Sequence, residues 1–217
     1  LLELMLAITL LAIVTTVTYL TVSTILTAWK KGIRMSDELN HGDFVMEQLV
    51  MALRSAYYPE ARGSAGTYGF WHTDGGSDAY SSDKISWVKL GSALVGKKCP
   101  FSGSPHRVEF SITEDDKGEN VASIKAWQIT GQKEDFNPDD VPLKSISRQV
   151  VGFNCRAASK RLEDGSDIDW KDEWTETNRL PTVVELTLYM EPLEEGEDPV
   201  EVKRVLGIPL GPLSWKR

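Results

Sequence analysis

Leu1-Leu2-Glu3-Leu4-Met5-Leu6-Ala7-Ile8 opens a stretch that carries one charge, Glu3, and then none from Leu4 to Trp29 before Lys30 and Lys31 close it. At about 1.5 Å rise per residue, roughly 26 uncharged residues make a helix of about 39 Å, against a bilayer hydrocarbon core of about 30 Å. The stretch reads as a membrane segment, and the rest of the chain as what it carries. Hydroxyls recur through it at Thr9, Thr15, Thr16, Thr18, Thr21, Ser23, Thr24 and Thr27. Small and β-branched residues of this kind favour close approach of other helices in lipid. Glu3 is the sharper feature, because a carboxylate at the end of an apolar helix is costly unless it reaches the headgroups or finds a cation.

Of the 217 residues, about 185 lie beyond this run, enough for one domain of ordinary size. The formal net charge of −8 argues against nucleic acid as a partner. Lys30, Lys31 and Arg34 follow the apolar run, and taken alone the positive-inside rule places the large domain in the cytoplasm. Two cysteines, Cys99 and Cys155, leave two readings open. In an oxidising compartment they could close a loop of about 55 residues, worth about 4 kcal/mol by chain entropy; otherwise they are unrelated buried thiols.

Past the apolar run, Gly32 and Ser36 loosen the helical pattern, with a bend expected near Gly32. Val45, Leu49, Ala52, Leu53 and Ala56 then recur at three- and four-residue spacing, which predicts an amphipathic helix ending at Tyr57-Tyr58-Pro59. Three parts follow: a membrane half-helix over 1–29, an amphipathic half over 30–58, and a β-rich domain over 59–217. Within that domain, 60–82 is a packed, aromatic-bearing loop or a short strand bed. Strands are expected at Ile85–Leu90, Arg107–Thr113, Val121–Thr130, Leu143–Arg156, Thr182–Glu191 and Val200–Ile208. The second and third form a hairpin around Asp115-Asp116-Lys117-Gly118. One long helix followed by a run of strands argues an α+β fold with a mainly antiparallel sheet.

The N-terminal eight residues resemble the class III signal region of type IV pilins and type II secretion pseudopilins. In that family a basic leader is removed, the new N-terminus is methylated, and a Leu-Leu-Glu soon follows; Leu1 would lie two residues inside the mature chain. The second half is similar to one subtype. Val150-Val151-Gly152-Phe153, then Trp170 and Trp174 as W-x3-W, then Leu180-Pro181 before a last alternating strand, resembles the J-type minor pseudopilin of type II secretion. Met46-Glu47-Gln48-Leu49 to Leu53-Arg54-Ser55-Ala56 is similar to the end of that subtype's long helix, while the region from Glu60 to Lys144 carries no resemblance.

The resemblance implies a pilin-like fold, a single pass through the bacterial inner membrane and a periplasmic domain, opposite to the vote of the flanking lysines. It implies partnership with I-type and K-type subunits, with an H-type subunit and the major pseudopilin as further neighbours, in the complex that starts or caps a periplasmic pseudopilus. Glu3 would pair with the N-terminal amine of an adjacent subunit, and its presence argues against the apical K-type position.

Other classes compete. His41, His72 and His106 show no metal-ligand spacing, and G-x-S-x-G, P-loop and H-E-x-x-H motifs are absent from the sequence, so no catalytic residue is assigned and no enzyme activity is expected. No cofactor is expected either. Asp164, Asp167 and Asp169 are a weak calcium candidate, lacking the ligand order and terminal Glu of an EF-hand, and a solvated acidic loop is the simpler account. Within the same superfamily the alternative is a minor pilin of a type IV pilus or competence filament, or an adhesive tip subunit. Outside it, the alternative is a membrane-tethered binding module.

Overall fold

The computed structural model describes residues 1–59, 65–76, 80–159, 168–192 and 196–215. The chain divides into two compact units, Leu1–Leu39 and Asn40–Arg217. One helix, α1, runs from Leu2 to Arg54 and so belongs to both. It passes Gly32 without interruption, a single helix-interior glycine costing only about 1 kcal/mol relative to alanine. It stops three residues before Tyr57, where Tyr57 N–H turns instead to Val88 O, 2.8 Å away. The observed class is thus α+β, a long N-terminal helix followed by antiparallel sheets.

After the short helix α2 (Ala65–Tyr68) come β1 (Trp71–Thr73), β2 (Lys84–Lys89), β3 (His106–Glu114), β4 (Asn120–Gln128), β5 (Lys144–Ser147), β6 (Val150–Ala158), β7 (Val183–Met190) and β8 (Val200–Gly207). A one-turn helix, α3 (Gly211–Ser214), follows. The strands form two sheets rather than the single sheet expected: β1-β2-β3-β4-β5 and β6-β7-β8, each antiparallel throughout. The β3–β4 hairpin falls where the sequence places it, with Asp115 N–H donating to Glu119 O across the turn.

The run Leu143–Arg156 is the main correction. It is two strands in two sheets, broken at Ser147-Arg148-Gln149, where Ser147 Oγ accepts the N–H groups of Gln149 and Val150 at 3.2 and 3.3 Å. A serine hydroxyl that takes the next free amides offers the backbone a turn in place of a ladder.

The core of the second unit is built on the C-terminal part of α1. Val45, Leu49, Ala52, Leu53 and Ala56 are buried at the spacing that the sequence predicts, and Met46 is buried with them. Trp87 in β2 donates its Nε1–H to Ala52 O at 3.1 Å, fixing the helix end to the first sheet. A Cβ at Gly42 would crowd Met190 and Val202, so the second sheet also comes close to the helix. The sheets meet at Phe110 and Phe153, whose rings stand edge to face with centroids 4.8 Å apart. Burying each of these large apolar side chains contributes about 1.5–3 kcal/mol.

Candidate functional site

Glu3 lies in the first turn of α1, where a negative charge complements the free N–H groups. The most apolar 18-residue window of this helix has a mean hydropathy of 2.1, and none of it is buried. The helix is long and apolar enough to cross a membrane. Each threonine in the run turns its hydroxyl onto its own helix: Thr15, Thr16, Thr18, Thr21, Thr24 and Thr27 donate to the carbonyl four residues back at 2.7–2.9 Å. Thr9 reaches both Met5 O and Leu6 O. These hydroxyls are therefore satisfied within the helix, which lowers their cost in hydrocarbon and leaves methyl groups outward.

Trp174, Leu180 and Pro181 come together, and the chain terminus closes over them. Trp174 and Leu180 are fully buried. Trp174 donates its indole N–H to Glu176 O at 3.0 Å and meets Trp215 edge to face at 6.1 Å. Trp215 Nε1–H donates to Leu180 O at 2.9 Å, and Ser214 Oγ accepts the Leu180 N–H at 3.1 Å. Gly211 packs so closely that a Cβ there would overlap Pro181 O. Trp170 does something else: it stands 5.6 Å from the Arg156 guanidinium on the outer face of the second sheet. The role of α3 was not legible beforehand; four residues with one proline carry no periodic signal.

Two buried polar clusters were likewise missed. Asp83, just before β2, is 1 % exposed at its side chain. Its Oδ1 accepts Gly75 N–H (2.8 Å) and Ser81 Oγ–H (2.9 Å), and its Oδ2 accepts Cys155 N–H (2.7 Å) and meets His72 Nε2 (3.1 Å). The residue types of a hydrolytic triad thus meet, in the wrong order for one: Ser81 Oγ bonds the carboxylate and Gly76 O, not the imidazole. A nucleophile needs its base within reach and an open face, and this serine has neither. The cluster is instead a staple between the sheets, because Asp83 N–H also donates to Phe153 O and Phe153 N–H to Ser81 O.

The second cluster lies at the far end of β2. Lys89 and His106 are cross-strand partners, both buried. Lys89 Nζ donates to Gly91 O at 2.7 Å, and burial pulls its pKa down to about 8 against a smaller opposing effect of Cys99. Burial also lowers the His106 pKa, opposed by the hydrogen bond of its Nδ1 to Ser104 O at 2.8 Å. On the opposite face, the buried Arg107 stacks 3.7 Å from the Trp71 ring and donates to Thr67 O, Gly69 O and Ser86 Oγ. Burial brings its pKa down to about 10. The Lys89 and Arg107 charges are stabilised by fixed carbonyl dipoles at Gly91, Thr67 and Gly69, and the Glu109 carboxylate adds to this at Arg107.

His41 Nε2 lies 2.8 Å from Ser147 Oγ, so the three histidines serve three separate contacts. Cys99 and Cys155 are both free thiols, so the bridge considered above is not formed. Cys155 N–H sits at Asp83, before β2, whereas Cys99 influences Lys89, its last residue. A six-residue strand, about 17–20 Å, separates those ends, far beyond the ~7 Å limit for a disulfide. Burial raises the Cys155 thiol pKa well above its ordinary value. Asp164 and Asp167 lie outside the described residues, and Asp169 is exposed. Among the described residues no three His, Cys, Asp or Glu side chains come together to hold a metal ion. No model of a known protein family matches the chain, and no curated protein matches it.

Proposed function

We propose that the chain is a J-type minor pseudopilin of type II secretion, a non-enzymatic subunit of the pseudopilus tip or initiation complex. The observation that carries this reading is α1 itself: Glu3 in its first turn, an unburied apolar run with internally bonded hydroxyls, then a buried amphipathic end inside a β-rich domain. In this reading the first half of the helix sits in the inner membrane, the sheets lie in the periplasm, and the subunit acts by assembly with I-type and K-type partners. Glu3 neutralises the terminal amine of a neighbour, and loss of that partner leaves a charge in lipid at a cost of several kcal/mol.

The test uses the full chain in detergent, mixed with I- and K-type subunits of the same organism and followed by sedimentation. A discrete complex with one copy of each is expected. Glu3→Leu should still insert in the membrane but lose assembly. A chain that ignores both partners, or a Glu3→Leu variant that assembles normally, overturns the reading in favour of a type IV pilus subunit or a tethered module respectively.

A further inference from the structure

The chain crosses from the first sheet to the second through Arg148 and Gln149, between the end of β5 at Ser147 and the start of β6 at Val150. Ser147 Oγ has three partners there. It accepts the N–H of Gln149 at 3.2 Å and that of Val150 at 3.3 Å, and it lies 2.8 Å from His41 Nε2 on α1. A hydroxyl oxygen has two lone pairs and one proton. The two amides can only donate, so they take both lone pairs, and the O–H is what remains for the imidazole. Nε2 therefore accepts, and Nδ1 carries the ring proton: the partners of Ser147 select one neutral tautomer of His41. A protonated ring cannot take this part, because both its nitrogens are donors.

The packing around this hydroxyl is close. Ser147 and Val150 are buried, Val150 pairs with Met190 of β7, and Gln149 O accepts Glu191 N–H at 2.7 Å. One residue past His41, a Cβ at Gly42 would crowd that same Met190. Ser147 Oγ is thus the atom that links α1 and the start of β6 to the end of β5. The charged groups that border the joint are paired or exposed. Arg148 meets Asp115 Oδ2 at 3.4 Å, Arg204 bonds Asp43 at 2.9 Å, and on α1 Glu38, one helical turn before His41, bonds Arg34 at 2.9 Å. Asp37 and Glu191 are exposed. Among the described residues no carboxylate lies within ion-pairing distance of His41. Where the ring now sits, its Nε2–H could reach an acceptor only by displacing one of the two amides from Ser147.

We propose that His41 is a proton-operated latch on the joint between the two sheets. With the ring neutral, Nε2 takes the Ser147 proton and leaves both lone pairs of Oγ to the turn. The ring is half-buried, so a proton from solvent can reach the Nε2 lone pair. Once it does, Nε2–H and two amides compete for two lone pairs, one donor is expelled, and the turn between β5 and β6 opens. The inference stands apart from the filament reading, and either can fail without the other.

The test uses the full chain in detergent, isotope-labelled at the ring nitrogens of its three histidines and followed by NMR, with His41→Gln identifying the His41 signals. At about pH 8 the Nδ1–H tautomer of His41 is expected; an Nε2–H ring there overturns the proposal. Hydrogen exchange then measures the protection of the Gln149 and Val150 amides at about pH 8 and about pH 5, corrected for the intrinsic pH dependence of exchange. Protection should fall about fivefold at the lower pH, the equivalent of one neutral hydrogen bond. His41→Gln supplies an amide oxygen that accepts the serine proton and never takes one from solvent, so its protection should be equal at the two pH values. His72 and His106 still titrate in that variant. A loss of protection that survives His41→Gln belongs to them and overturns the assignment, as does wild-type protection that ignores pH. Ser147→Ala should show low protection at both pH values, and a pH response that persists in it likewise overturns the latch; if Ser147→Ala does not fold by circular dichroism, the His41→Gln comparison carries the test.

Discussion

Replacing Asp83 by alanine removes the one carboxylate that ties β1, β2 and β6 together. Its Oδ2 holds Cys155 N–H at 2.7 Å and His72 Nε2 at 3.1 Å, both buried. Gly75 N–H, by contrast, is at an exposed residue and can turn to water. Two buried donors are therefore left without an acceptor, at about 1–3 kcal/mol each, for a total near 4 kcal/mol. His72→Ala gives up one of these bonds and should cost about 1–2 kcal/mol. Because the two side chains share a bond, the double variant should cost less than the sum. Urea unfolding of the full chain in detergent, followed through the buried Trp87, Trp127 and Trp174, measures all three. An Asp83→Ala loss below about 1 kcal/mol would refute the staple and leave the sheets held by apolar contacts such as Phe110 on Phe153.

Lys89 has a folded pKa of about 8 against an ordinary 10.5. Between those values the unfolded chain holds the extra proton, so this residue's contribution to stability rises with pH and is least favourable below 8. Lys89→Met should melt higher than wild type at pH 7.5, with the gap closing toward pH 10; parallel curves would exclude the effect. Two free thiols should titrate in the denatured chain purified without reductant, and in the native chain the half-buried Cys99 should react well before Cys155, which is buried and has a raised pKa. Gly211→Ala should destabilise by about 1–3 kcal/mol through the overlap with Pro181 O, and Ala substitution at the open Gly103 should be close to neutral, both read from denaturation midpoints.

The long helix and most strands were legible because they carry strong periodic signals: the apolar run to Trp29, the three-and-four spacing from Val45 to Ala56, and alternation in β3, β4, β7 and β8. The split at Ser147 was not, since the apolar alternation of Leu143–Arg156 continues across it and only a hydroxyl accepting the Gln149 and Val150 amides marks the turn. Of Trp170, Trp174, Leu180 and Pro181, the last three come together and Trp170 stands apart, and the partner that covers the three, Ser214-Trp215, lies over 30 residues beyond Leu180 and leaves no local trace. The Asp83 and Lys89 clusters were invisible for the same reason. Their members, His72, Asp83 and Cys155 in one and Lys89, Cys99 and His106 in the other, come from loops and strands with no spacing rule. Burial, not sequence distance, makes them a unit.

The seven threonines of the apolar run, each closed onto its own backbone, have a mechanical meaning. In a bilayer the threonines donate no hydrogen bond outward to hold such a helix at a particular depth or rotation, which leaves Tyr19, Ser23 and Trp29 as the other hydrogen-bonding side chains within the run. Its aliphatic and threonine-bearing turns are nearly equivalent to the surrounding lipid, so for them a shift along the axis by one turn, about 5.4 Å, exchanges one hydrocarbon surface for another at little cost. Registry is left to Tyr19, Ser23 and Trp29 and to the ends, where Glu3 and the pair Lys30-Lys31 must find water, headgroups or opposite charge. A shaft built this way can travel along its axis, and its stops are the few polar and charged side chains it carries.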